Sequence, residues 1–468
     1  MFVKQIRIES LGNSTYMVGS QEAGVCAVVD PVRDVDIYLR EADSLGVGIT
    51  HTLETHVHND FVSGSRELAA RGGVTVCASS AGGLQFDHRP LQRGDVITLG
   101  EVRIQVLSTP GHTPEHISFL ATDPSTQDPP ALFSGGALLV GGVARTDLMG
   151  KQLAPFLGRW FFQAIRQELQ PLSDEVVVYP THGGGSFCLA TPSQGGAVTS
   201  TIGLERATNP FFQAQTEQEF LDLALGDLPS YPAYYKRMAG LNRRGPRVLG
   251  QLPVLSPLSP REAWAWLQKE AEPIDVRPPT AFAAGHVPDA YAIPAGDSFG
   301  TWVGWVVAAG RPLLFVTDQP EEHEEMVRQL VRIGYDDLLG YVQGGMESWS
   351  HAQLPVATLK TLTEKELHQQ WEAGEAPLMI DVRFLHEYQE DHIPSTLHVE
   401  LGELQEHADG LPRDARLATI CAAGFRACTG ASILRREGFS DVALVLGSTN
   451  AWREAGYPME KADTVEAG

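Results

Sequence analysis

Hydrophobic and polar positions alternate from the first residues of the chain. Met1-Phe-Val-Lys-Gln-Ile-Arg-Ile8 has the two-residue period of a half-buried strand. Strand-like runs recur at Gly24–Asp30, Val47–Leu53, Val74–Cys77, Val102–Leu107 and Val176–Tyr179, set apart by turns rich in Gly, Asn and Asp. Helical spacing lies between some of them, at Asp36–Leu45, Ser65–Arg71 and Phe156–Leu169. This mixture predicts a sheet-based α/β or α+β domain over residues 1–245. The segment Gly245-Pro-Arg-Val-Leu-Gly-Gln-Leu-Pro253 is punctuated by Pro and Gly and reads as a linker.

Beyond the linker the pattern repeats. Ile274-Asp-Val-Arg277 returns as Ile380-Asp-Val-Arg383, and Gly285-His-Val-Pro288 as Asp391-His-Ile-Pro394. Leu339-Gly-Tyr-Val-Gln-Gly-Gly-Met-Glu-Ser-Trp349 is echoed by Leu444-Val-Leu-Gly-Ser-Thr-Asn-Ala-Trp452. The offset stays between 103 and 106, so two homologous units are expected, over 253–358 and 359–468. Each reads helix, strand, loop, helix, strand, helix, which predicts a parallel sheet covered by helices on both faces.

Composition narrows the functional classes. A length of 468 residues implies two to four domains. A hydrophobic share of 43% and a charged share of 20% are those of a soluble globular protein. The net charge of −23 argues against nucleic acid or an anionic membrane as partner, because phosphate binding needs clustered Lys and Arg. No apolar run approaches the length of a membrane span, and the N-terminus lacks a signal peptide's apolar core. A cytoplasmic location is the expectation. Five cysteines, Cys26, Cys77, Cys188, Cys421 and Cys428, form no regular framework, so each is judged on its surroundings.

Candidate chemistry concentrates at predicted strand ends. His56-x-His58-x-Asp60 follows the run Val47–Leu53, His112 lies in Thr109-Pro-Gly-His-Thr-Pro114, and His182 closes Tyr179-Pro-Thr-His182. Imidazole is the side chain best suited to holding Zn or Fe at neutral pH. Together these motifs resemble the metallo-β-lactamase-fold superfamily. Thr55–Gly64, Ser108–Glu115, Ala144-Arg-Thr-Asp-Leu148 and Asn209-Pro-Phe-Phe212 are similar to its persulfide dioxygenase branch. The resemblance implies one Fe(II) held by His56, His112 and a carboxylate, with His58, Asp60 and His182 as further candidates. Phe61 stands where the two-zinc hydrolases carry another His. In Phe133-Ser-Gly-Gly-Ala137, Gly136 stands where the branch carries its Asp ligand. Three explanations stay open: a scaffold without activity, a position filled by water, an anion or substrate sulfur, or Asp147 or Asp60 moving in. Cys188, in Gly183-Gly-Gly-Ser-Phe-Cys188, is either a core residue or a sulfur relay at the pocket mouth, since related fusions carry a cysteine in similar context.

In the last unit, the apolar run Leu417–Ile420 delivers Cys421 to a short loop ahead of a helix. Backbone N–H groups and a helix N-terminus are surroundings that favour a thiolate, and Arg426 adds positive charge for an anionic donor such as thiosulfate. Ile380-Asp-Val-Arg383, His392-Ile-Pro394 and the loop Cys421-Ala422-Ala423-Gly424-Phe425-Arg426 resemble a rhodanese, which implies a Cys421 persulfide and a loop sized for sulfur rather than phosphate. Cys428 is either helix packing or an oxidation partner of Cys421. In the middle unit Thr317 or Asp318 stands where the cysteine belongs, which marks an inactive rhodanese-like domain. The expected architecture is an αββα metallo-β-lactamase sandwich followed by two parallel-sheet α/β rhodanese-like domains. It resembles persulfide dioxygenase–sulfurtransferase fusions of bacterial sulfide oxidation. The resemblance implies glutathione or coenzyme A persulfide, thiosulfate and sulfite as small-molecule partners, Fe(II) or Zn as cofactor, and a homo-oligomer. The alternatives are a sulfurtransferase with a degenerate first domain and a zinc thioester hydrolase of glyoxalase II type.

Overall fold

The computed structural model describes residues 1–190, 197–226 and 228–461. They divide into two compact units, Met1–Leu252 with Val331–Gly334, and Pro253–Leu330 with Tyr335–Gly468.

The first unit holds two six-stranded sheets. One runs Phe2–Ile8, Asn13–Ser20, Val25–Val29, Gly48–Leu53, Thr75–Ser79, Arg89–Leu91, antiparallel through its first three strands and parallel thereafter. The other runs Ser200–Thr201, Val177–Pro180, Ala131–Gly135, Ile117–Thr122, Val102–Ser108, Val96–Leu99. Inward-facing residues of the two sheets meet in one core, with Tyr16, Val18, Val29 and Leu53 against Ile104, Val106, Phe119 and Phe133. Fully burying each such side chain contributes about 1.5–3 kcal/mol. The helix Ala154–Ala164 covers the second sheet, where Phe161 joins Leu132 and Val178. The layering is the expected αββα sandwich, and the strands fall within two residues of the hydrophobic runs that predict them.

The second unit is built twice over. Its sheets are each five-stranded and parallel with the same strand order. The first is Pro257–Leu258, Leu338–Val342, Leu313–Val316, Glu272–Asp275, Tyr291–Ala292; the second is Lys360–Leu362, Val442–Val445, Leu417–Ile420, Leu378–Asp381, Leu397–His398. The repeated sequence signatures are repeated contacts. Arg277 forks onto Asp275 and donates to the Gly285 carbonyl, as Arg383 does to Asp381 and the Asp391 carbonyl. Trp349 Nε1 donates to Pro355 O at 2.9 Å, and Trp452 Nε1 to Pro458 O at 2.8 Å. Each tryptophan is fully buried, so its one donor needs that partner. Among the described residues, no helix is long and apolar enough to cross a membrane.

Candidate metal centre and cysteine loop

In the first unit the strand Gly48–Leu53 gives way to a turn through Thr55–Asp60 that two side chains fix. Asp30, in the left-handed region at φ 49°, accepts the Thr55 N–H and hydroxyl, both at 2.7 Å. It also accepts the Thr181 hydroxyl from the second sheet, so one carboxylate ties the ends of both sheets together. From the helix Tyr235–Arg244, Asn242 donates to the carbonyls of His58 at 2.9 Å and Phe61 at 2.8 Å and accepts the Ser63 N–H at 3.0 Å. Buried Asn242 thereby pairs three backbone groups that no strand satisfies.

Around that turn His56, His112 and His182 converge, their ligand atoms within 4.8 Å of one another. Each ring has its Nδ1 engaged on the far side. His56 Nδ1 lies 2.9 Å from Thr55 Oγ1, His112 Nδ1 2.7 Å from the Arg145 carbonyl, and His182 Nδ1 3.2 Å from Asn13 Oδ1 and 3.3 Å from Asp60 Oδ2. The Nε2 atoms of all three are buried with no hydrogen-bond partner. Leaving such an atom unsatisfied costs about 1–3 kcal/mol, so three together fit a bound cation far better than a void. Burial, then the neighbouring rings, hold His112 down to about 3 and His56 well below the ordinary histidine range, which leaves neutral imidazoles able to ligate. The Nδ1 partners are the outer hydrogen bonds that orient metal-binding histidines.

His58 is engaged differently. Its Nε2 stands 3.2 Å from Asp30 and 3.3 Å from Glu54 as an ion pair. Burial opposes its charge, but the two carboxylates outweigh that and hold it up to about 10. Asp60 accepts from Asn13 Nδ2 at 2.6 Å through Oδ2, while its Oδ1 is buried without a hydrogen bond, 4.0 Å from His58 Nδ1. His58, Asp60 and His182 make a second convergent group, and Asp30, His56 and His58 a third.

At Gly136 the space a side chain would enter is taken. A Cβ there would lie 2.6 Å from His112 Cδ2 and 3.0 Å from Ala144 Cβ. Asp147 does not move in, because Arg145 holds both its oxygens at 2.6 and 2.8 Å. Instead a residue that sequence reasoning missed sits beside Gly136: His116 Nε2 accepts the Gly136 N–H at 3.0 Å, and its ring stacks on His56 at 5.0 Å. The second histidine of His112-Thr-Pro-Glu-His116 was the available signal. Cys188 is fully buried, 3.9 Å from the Tyr235 hydroxyl, and burial, then the Asp60 charge, push its thiol well above the ordinary range. Burial likewise raises Cys26 to about 12 and Cys77 to about 11.

In the second unit, Cys421 follows the strand Leu417–Ile420 and precedes the helix Phe425–Arg436. Its Sγ receives the Gly424 N–H at 3.0 Å, and its own N–H donates to Ser448 Oγ at 3.2 Å. Gly424 has φ 102°, a left-handed conformation that favours glycine. Ala422 and Ala423 span the loop, and Phe425 is 57% exposed at its rim. Arg426 forks onto Glu387 at 2.5 and 2.7 Å and lies over the Phe384 ring at 5.4 Å, so the guanidinium fastens the loop's end to the neighbouring helix. Cys428 donates its N–H to Gly424 O at 3.0 Å and is buried within that helix, where burial raises its thiol well above the ordinary range.

Sheet register resolves what stands in the other half. Asp381 pairs with Ile420 and Asp275 with Val316, so Thr317, not Asp318, occupies the place of Cys421. The Thr317 hydroxyl accepts the Gln319 N–H at 3.0 Å. The arginine forks align at an offset of 106 (383 − 277), which puts Ala281 in the place of Glu387.

Two sheets stacked between helices, with buried histidines gathered at strand ends, define a metallo-β-lactamase-fold protein. The chain belongs to that family and is extended by two rhodanese-like domains. The family description "Rhodanese-like domain" matches residues 259–352 and again 363–455. A solved metallo-β-lactamase of Staphylococcus aureus superimposes with a TM-score of 0.65 at 31% identity, covering 73% of this chain and 98% of that one. A hydroxyacylglutathione hydrolase of Rhodospirillum rubrum is 36% identical over 145 residues, which are 31% of this chain and 54% of the relative, so the match spans about half that protein. The human mitochondrial persulfide dioxygenase ETHE1 is 27% identical over 208 residues, 44% of this chain and 73% of that one.

Proposed function

We propose that the chain is a sulfur-transfer enzyme in which Cys421 carries sulfane sulfur and the metallo-β-lactamase-fold unit oxidises a low-molecular-weight persulfide. The observation that carries the first part is the Gly424 N–H 3.0 Å from Cys421 Sγ, at the start of a helix. In that setting the thiolate attacks the outer sulfur of thiosulfate. The S–S bond of the donor breaks, sulfite leaves with the electron pair, and Cys421–S–S⁻ remains, its charge held by loop N–H groups. An acceptor such as cyanide then attacks the outer sulfur and returns the Cys421 thiolate. We assign this role to residues 359–468, with 253–358 as a homologous domain that lacks the nucleophile.

In residues 1–245, His56, His112 and His182 would hold the metal. With Fe(II) bound, the site supplies binding and activation of O₂ beside the persulfide, the net change being RSSH + O₂ + H₂O → RSH + SO₃²⁻ + 2H⁺. Asp60 and Asn13 orient His182, the Arg145 carbonyl orients His112, and Thr55 orients His56. Glutathione or coenzyme A persulfide is the substrate class. Sulfite formed at one site is an acceptor at the other, and a shared chain raises its effective concentration.

The three imidazoles of His56, His112 and His182 carry a second reading, because they also suit a zinc site of the thioester-hydrolase kind. Metal analysis together with O₂ uptake on glutathione persulfide separates the two. One iron per chain, with O₂ uptake lost in His182→Ala, supports the proposal. Zinc, thioester cleavage and no O₂ uptake hand the unit to the second reading.

A further inference from the structure

The cysteine-free half makes contacts that end on the anchor of the cysteine loop. Its helix Phe299–Val306 carries Trp302 and Trp305. Trp302 stacks on Phe384 with ring centroids 6.2 Å apart at 23°, and Trp305 meets the same ring at 6.0 Å. Phe384 lies under the Arg426 guanidinium at 5.4 Å, and its N–H donates at 3.1 Å to Glu387, the partner of Arg426. Gly402 leaves room for the slab, since a Cβ there would lie 2.3 Å from Trp305 Cε3. The helix that starts at the cysteine loop is held by the same half. Thr429 Oγ1 donates to Ala292 O at 2.6 Å, and Ser432 Oγ accepts the Ala292 N–H at 3.1 Å. At its far end Arg436 pairs with Glu272 at 2.9 Å and lies 3.9 Å over Tyr291.

We propose that Trp302 of the cysteine-free half is a positioning residue for sulfur transfer, acting through Phe384 on the Arg426–Glu387 fork that closes the Cys421 loop. The inference rests on Cys421 as the sulfur carrier. It gives the half without a nucleophile a part in the reaction: its indole face fixes the ring on which the guanidinium rests. Without that face Phe384 can turn, the fork loosens, and the Gly424 N–H no longer holds its position at Sγ. Donor binding suffers first, because an anionic donor depends on the set of loop N–H groups before any bond changes.

The test is thiosulfate:cyanide sulfur transfer by the full chain, with kcat and KM for thiosulfate resolved. Trp302→Ala is expected to raise KM about tenfold with a smaller change in kcat, and Trp302→Phe, which keeps an aromatic face, to recover most of it. Arg436→Ala breaks a contact between the halves away from the loop and is expected to leave KM within about twofold of the parent. Should Trp302→Ala not fold, Trp302→Leu decides, since it keeps apolar bulk without a ring: a raised KM supports the proposal and an unchanged one overturns it. An unchanged KM in Trp302→Ala, a Phe variant no better than Ala, or the same KM rise in Arg436→Ala also overturns it. Cys421→Ser is measured alongside; persistent turnover there would refute the sulfur-carrier reading itself, whatever Trp302 does.

Discussion

The two rhodanese-like halves share strand order, arginine forks and tryptophan anchors, yet differ around the cysteine loop. Cys421 is matched by Thr317, and Glu387 by Ala281. The helix that begins at Phe425 directly after the loop is matched by a 3-10 turn, Pro320–Glu322, ahead of His323–Arg332. Nucleophile, anchor and helix start are thus absent together, while the contacts that hold the sheet remain. Asp318, next to Thr317, adds an exposed carboxylate that the cysteine loop lacks. The fold and the loop rest on different groups: the one on buried forks and indoles, the other on Gly424 and the Arg426–Glu387 pair.

Exchanging the side chains at positions 421 and 317 has the largest expected effect. Cys421→Ser should lower thiosulfate:cyanide turnover about 10³-fold or more, and adding Thr317→Cys to it should restore none, because a thiol there has no Gly424-like N–H or arginine anchor. Next in size is Glu387→Ala, which creates in one half the residue found in the other. It leaves Arg426 without its carboxylate, and kcat/KM should fall about tenfold or more, measured with the same assay. A smaller effect is expected from acid. Burial raises the Glu387 carboxyl, but the Arg426 guanidinium outweighs it and holds the group below its ordinary 4.5. A depressed carboxyl stabilises the fold above its unfolded value, and that contribution is lost as pH falls through the lowered one. Lowering the pH below 4.5 should therefore reduce the unfolding temperature of the parent more than that of Glu387→Gln. The smallest change tests what the halves share: Trp349→Phe and Trp452→Phe should each cost about 1 kcal/mol for the lost N–H···O bond, alike in both halves by denaturant titration.

Local features were open to reading from the sequence. The cysteine loop, the duplicated Ile-Asp-Val-Arg signatures and the alternating strands each lie within a dozen residues, where period and spacing carry the information. What escaped depends on contacts across the fold. The place of His116 beside Gly136 needs strand Ala131–Gly135 to lie next to its loop. Whether Thr317 or Asp318 matches Cys421 is a matter of sheet register, which a one-residue difference in loop length conceals. The two-residue strands Tyr291–Ala292 and Leu397–His398 are too short to show any period. The sequence shows a glycine at 136, but not that the His112 ring lies 2.6 Å from where its Cβ would stand.

The Asn242 side chain bears on when the metal centre can exist at all. It reaches the carbonyl of His58 across 184 positions of chain, and the carbonyl of Phe61 across 181. Closing so long a loop carries an entropy cost that local turns do not, and contacts of that range form late in folding. A ribosome that has released the histidine motif still has most of the first unit to make before its clamp is available. The turn that carries the histidine motif is therefore completed only when the helix Tyr235–Arg244 has been made.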